Sequence, residues 1–334
     1  MPLILVALLC SPAVLLAEEG PIVKQEFIYE TAPFPSCHAS TIEQAANGDL
    51  LCAWFAGTNE GEKDVGIWLS RFDGAAWSAP VEVARDPAEP CWNPVLFRTR
   101  EGEVLLFYKA GPNPRQWSGL LIRSQDDGRT WSEPEWLPAG VLGPIKNRPL
   151  QLDNGDIVCG SSVESYRLWG CHVEITGDSG RTWRLSSPIN VPGKPYGIIQ
   201  PGMFVAGPGR LGMVCRSTQA IGEIVSAFSE DGGHTWTDAQ PIGLPNPNSG
   251  IDAGTLADGR IVMVYNHTSS DRHPINLAVS EDGGRTFAPA LVLEDGDREF
   301  SYPAVIQTTD GLIHITYTWA RTHIRHTIID PNRL

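Results

Sequence analysis

Six residues with hydrogen-bonding side chains, His38, Asn93, Arg148, Gln200, Asp252 and Tyr302, recur at intervals of 55, 55, 52, 52 and 50 residues. Each stands shortly before a glycine-led apolar run, and Lys109, Glu164, Arg216 and Asn266 lie at the far ends of four of those runs. The residue types suggest a chemistry. Arginine presents a planar fork that holds a carboxylate bidentately. Asp252 and Glu164 are of the kind that move protons or activate water at a glycosidic bond, whereas His38 and Tyr302 could exchange a proton across a sugar ring. Such a set suits an anionic sugar, provided the fold gathers it in one place.

What must do the gathering is a repeat. The runs NGDLLCAW, EGEVLLFY, NGDIVCGS, PGRLGMVC, DGRIVMVY and DGLIHITY carry their glycines at 48, 102, 155, 209, 259 and 311. A second motif, S/T-x-D-x-G-x-T-W/F, appears four times, as SQDDGRTW, TGDSGRTW, SEDGGHTW and SEDGGRTF. A worn copy, SRFDGAAW, ends at Trp77, so the closing aromatics fall at 77, 131, 183, 236 and 287. Aspartate accepting local N–H bonds, glycine at positive φ and a buried aromatic make this motif a stapled hairpin turn. A calcium loop would need more carboxylates and a closing glutamate. A period near 53 residues, with about four short strands in each, predicts an all-β, six-bladed β-propeller of four-stranded antiparallel blades. The N-terminal segment KQEFIY, residues 24–29, is expected to complete the last blade. In a propeller the first strand of each blade lies nearest the axis, so the six spaced residues are expected to form one ring at a channel rim.

Gly 34 and Pro 27 in 334 residues favour turns over long helices. A net charge of −14 with no compensating basic run argues against nucleic acid or an anionic membrane as the main partner. Residues 2–17 are apolar but short and broken by proline, which predicts a signal peptide of residues 1–17, an exported protein, no membrane span in the mature chain and one propeller domain over 18–334. Cys10 would leave with the leader. The other six cysteines permit disulfides, with Cys159 and Cys171 flanking a hairpin, but have no metal-ligand spacing. Neither a cofactor nor a metal is expected.

The repeated aspartate turns, the period and the six blade signatures make the chain similar to the sialidase superfamily of BNR-repeat propellers. That resemblance implies a glycoside hydrolase with an arginine triad for the substrate carboxylate, a tyrosine nucleophile paired with a glutamate, and an aspartate as acid/base. Carried over by motif, Tyr302 in EFSYP would be the nucleophile, Arg216 in VCRS and Arg272 in DRHPINL two of the arginines, and Asp64 in KDVGIW the acid/base. The pattern departs at two places. His38 stands where the first arginine would be, and Gln200 where the glutamate would be.

Three readings stay open on the sequence. One is a sialidase-like hydrolase acting on terminal acidic sugars, with Asp64, Tyr302, His38 and Asp252 as catalytic candidates. Its substrate-binding candidates are Arg148, Arg216, Arg272, Asn93, Gln200, Lys109 and Glu164. The second is a uronic-acid-directed lyase or rhamnosidase-like enzyme using His38. The third is a carbohydrate-binding propeller without catalysis. All three take a glycan as partner.

Overall fold

A computed structural model describes residues 20–194 and 197–334; the expected leader, residues 1–17, and Cys10 lie outside the described residues. Twenty-four strands form six four-stranded antiparallel sheets, the blades of a β-propeller. A 3-10 turn at Pro331–Arg333 is the sole helical element among the described residues, so none of their helices is long and apolar enough to cross a membrane.

The innermost strands are Ser36–Gln44, Cys91–Arg98, Leu150–Gln151, Ile198–Gly207, Asp252–Thr255 and Phe300–Gln307. The second strand of blade 1, Leu50–Gly57, is buried at all eight positions because blades pack on both of its faces. Apolar side chains on both faces make the core interblade: Leu51, Phe55 and Ile67 of blade 1 pack with Leu96, Leu106 and Tyr108 of blade 2.

Closure comes from the N-terminus. Ile22–Phe27 pairs with His323–Ile329 in the sheet of blade 6. The strand begins and ends two residues before the expected segment, because Ile28 and Tyr29 leave it to join a buried cluster with Phe34 and Trp54. Within the turn motif, Asp231 accepts from Thr235 N (2.9 Å) and Thr235 Oγ1 (2.6 Å), while Ser229 Oγ accepts from Gly233 N (2.9 Å) and Trp236 Nε1 donates to Gly233 O (2.9 Å). The motif is thus a self-contained staple. The six described cysteines are free and buried.

Candidate active site

Strand register defines which residues share a level in the channel. Gln44, Arg98, Gln151, Val205, Thr255 and Gln307 pair with the residue two past the turn glycine of their blades. Five positions back stand Ala39, Asn93, Lys146, Gln200, Gly250 and Tyr302. At Ala39, Asn93, Gln200 and Tyr302 the backbone is left-handed, with φ of 58°, 35°, 56° and 53°, and the pairing register slips at the same points. Such bulges re-aim side chains, and a left-handed non-glycine residue costs about 1–3 kcal/mol, so strain is concentrated at this level.

The expected ring therefore holds at Asn93, Gln200 and Tyr302 and is corrected elsewhere. His38 precedes the bulge by one residue, and Arg148 and Asp252 lie two residues deeper. The cause is a false landmark. Asn93, Gln200 and Tyr302 each precede a proline, and Arg148-Pro149 imitates that pattern, but blade 3 has isoleucine, lysine and asparagine at its bulge level.

Tyr302 is the centre of what the fold does gather. Its oxygen accepts from Arg216 Nη1 (2.6 Å) and Gln200 Nε2 (3.3 Å). Arg216 also donates from Nη1 to Gln200 Oε1 (3.2 Å) and from Nε to Asn248 Oδ1 (2.8 Å). The Arg272 guanidinium carbon lies 5.4 Å from the Tyr302 ring centroid, and Arg272 Nη1 donates to Glu299 Oε1 (2.9 Å). His38 packs its ring 4.2 Å from that of Tyr302 and shares a hydrogen bond with Thr318 Oγ1 (3.0 Å). Burial, reinforced by Arg321, Arg272, Arg216 and Lys146, holds the His38 pKa well below the ordinary range, so its imidazole is neutral.

The remaining candidates stand apart. Asp252 is buried and accepts from Ala253 N and Val305 N, both 2.9 Å. Burial raises its pKa, and Lys146 opposes the rise. Asn93 donates to Ile145 O (3.3 Å), and Lys109, fully buried, donates to Asn93 O (3.4 Å) and Pro144 O. Burial brings Lys109 down to about 7. These two brace a loop and do not reach Tyr302. Glu164 ends the second strand of blade 3, opposite Trp169; burial raises its pKa against the pull of Arg216 and Arg115. Arg148 gives its Nε to Glu43 (2.7 Å) and lines a cavity of about 420 Å³ with Thr255, Gln307 and Thr309, at the opposite end of the inner strands.

Asp64 occupies the loop after Gly57, at the Tyr302 end of blade 1. Its Oδ2 accepts from Thr58 N (2.9 Å) and Thr58 Oγ1 (2.7 Å), and the Thr58 hydroxyl is foremost in holding the carboxyl below its ordinary range. Of the aromatic residues on the second and third strands of blades 1 to 3, Trp54 and Tyr108 are buried in the core, whereas Trp169 lies 5.8 Å from the Arg216 guanidinium.

Sequence reasoning missed Lys146, Asn147, Asn248, Glu299 and Arg321. Glu299 binds Arg272, Arg321 and Ser301 at once. Burial would raise its pKa, but the Arg321 bond leads a net lowering. Arg321 sits at φ 59° in the last hairpin turn and also pairs with Glu60. Counting five residues back from each strand partner would have found Lys146; the loop residues carry no such signal.

Comparison with known proteins agrees with the fold. The model of the BNR repeat-like domain matches residues 48–315. A sialidase of Bacteroides fragilis (strain YCH46) is 22% identical over 226 residues, which is 61% of this chain and 40% of that protein. A sialidase of Micromonospora viridifaciens is 28% identical over 240 residues, 60% of this chain and 36% of that protein. The match thus spans about two fifths of these relatives' length. Among solved structures, the Hadza microbial sialidase Hz136 superposes with a TM-score of 0.78 at 18% identity, covering 90% of this chain and 66% of that one. With the repeats, the six blades and the domain match in agreement, the chain belongs to the BNR repeat-like domain family of β-propellers.

Proposed function

We propose that the protein is a sialidase-like glycoside hydrolase that removes terminal acidic sugars from glycans, with sialic acid the best single substrate. The observation that carries this reading is Arg216. In a chain of net charge −14, it is a buried guanidinium bonded to two amides and a phenol, and to no carboxylate among the described residues. A sugar carboxylate would supply the directly bonded countercharge that Glu164 gives only at longer range, through charge-assisted hydrogen bonds, with Arg272 flanking the same ring. Tyr302 then serves as nucleophile in a retaining route. Gln200 donates to the Tyr302 oxygen and cannot take its proton, while Arg216, bonded to the same oxygen, would stabilise the phenolate that the route needs. Asp64 is the proton donor to the leaving group, a role that requires the substrate to displace the Thr58 hydroxyl that keeps it ionised.

The test is release of sialic acid from a fluorogenic sialoside. Tyr302→Phe should lower kcat by about 10³-fold or more. A specific contact favours one second reading, a uronate-directed lyase: a neutral imidazole packed on a phenol can exchange protons while an arginine neutralises the carboxylate. Absence of sialoside turnover, with a conjugated double bond growing on uronic-acid polysaccharides, would replace the first reading by the second. Glycan binding without any bond cleaved would replace both with a binding propeller.

A further inference from the structure

We infer that Lys146 and Asn147 are positioning residues for Tyr302: crossing the axis from blade 3, they hold main-chain carbonyls at the bulges of blades 4 and 6 and at the matching level of blade 5. Lys146 Nζ has three protons and three acceptors, Asn147 Oδ1 (2.7 Å), Ile251 O (3.2 Å) and Pro303 O (2.5 Å). Asn147 Nδ2 donates to Gln200 O (3.0 Å). The carbonyls therefore belong to Gln200 itself, to the residue after Gly250 and to the residue after Tyr302.

These are the groups that most need a partner. Where the pairing register slips, between Ile199 and Gly202 and between Ser301 and Ala304, the carbonyls of Gln200 and Pro303 fall outside the paired ladder. A buried carbonyl left unpaired costs as much as a lost hydrogen bond, so without the clip the strained Tyr302 conformation loses support. Packing fits the same purpose. A Cβ on Gly250 would lie 3.2 Å from Tyr302 Cδ2 and 3.3 Å from Lys146 Cε, so the phenol ring and the lysine stem share the space beside bare backbone. The ammonium stands 5.7 Å from the ring centroid. Asp252 balances its charge and, through Val305 N, ties down the strand just past Pro303. Blade 3 is able to supply the clip because its inner strand is only Leu150–Gln151, which frees the preceding residues to reach across the channel.

A lysine that merely stabilised the fold would leave Tyr302 intact in every folded molecule, and kinetics separate the two roles. Lys146→Met keeps the stem and removes the donors. Amide hydrogen exchange in residues 299–307 should then accelerate about tenfold, with residues 223–236 of the outer hairpin unchanged. On a sialoside, kcat should fall about 10²-fold and KM stay within about threefold, since a small misplacement of a reacting group acts on the chemical step. Asn147→Ala, which frees only Gln200 O, should show the same pattern at about threefold to tenfold, and it decides the matter if Lys146→Met does not fold. Unchanged exchange in 299–307, or wild-type kcat in folded variants, would overturn the inference. The kinetic arm rests on the proposed function; if the wild type cleaves no sialoside, that reading falls and the exchange arm alone still decides this one.

Discussion

The two ends of the channel each hold an arginine, and they are chemically opposite. At one end Arg216 bonds Asn248, Gln200 and Tyr302, none of which carries a compensating carboxylate. At the other, Arg148 is paired with Glu43, which is 3% exposed and also accepts from the backbone N–H groups of Gln44 and Arg98. The second end has the open cavity of about 420 Å³, yet its charge is already balanced within the protein. Space and an arginine do not make an anion site. What matters is whether the guanidinium is still without a hydrogen-bonded carboxylate after folding, and by that measure Arg216 at the Tyr302 end, which feels Glu164 only at longer range, is built to receive one.

The sharpest way to break this comparison is to remove each arginine. Arg216→Ala should lower kcat/KM on an acidic glycoside by about 10²–10³-fold, the loss seen when a preorganised donor at a reacting centre is deleted. Arg148→Ala should change it by less than about threefold. Equal losses in steady-state kinetics would erase the distinction.

A third environment, the seam where the ring closes, contains buried titratable groups without any anion-binding role. Glu26 on the first strand contacts His326 Nδ1 (3.3 Å), and His326 Nε2 contacts His314 Nδ1 (2.9 Å), with Lys24 paired to Glu26 and Asp310 acting on His314. Burial, then His326, lowers the His314 pKa to about 4, and burial lowers that of His326 despite Glu26. The unfolded chain takes these protons near pH 6.5 and the folded chain does not, so stability should fall as pH drops from about 6.5 to 4, by up to ~3 kcal/mol for His314. Glu26, lowered to about 2 chiefly by its His326 bond, adds a further loss between about pH 4.5 and 2. Urea denaturation at pH 7 and pH 5 measures the first effect, and His314→Phe should flatten it; an unchanged slope would mean that the histidines do not couple to folding.

The smallest expected effect returns to the paired end. Glu43→Gln leaves Arg148 and two backbone donors with a poorer acceptor and should destabilise the fold by about 1–3 kcal/mol in chemical denaturation. The same variant should keep kcat within about threefold of wild type. A large kcat change would show that this end communicates with the other.

Legibility in the sequence followed the range of the interactions. The aspartate turns were readable because Asp231, Ser229, Gly233 and Thr235 bond one another within a few residues, and their period announced the blades. Three ring positions, Asn93, Gln200 and Tyr302, were readable because the bulge and its following proline recur locally. Lys146 and Gly250 were hidden by a proline displaced in blade 3 and by a blade 5 in which glycine holds the bulge level. Glu299, Asn248 and Arg321 could not be found that way, since each acts from a loop of variable length.

By itself, then, the sequence determined the architecture, because a repeated local turn and alternating apolar strands leave an array of blades as the way to bury both faces of every sheet. It also made three ring residues legible, Asn93, Gln200 and Tyr302. Tertiary structure alone decided which of them meet. Groups separated by more than a hundred residues, such as Glu43 with Arg148 and Lys146 with the Pro303 carbonyl, are brought together by ring closure and bulge register, and a shift of two residues along a strand carries an arginine from one end of the channel toward the other.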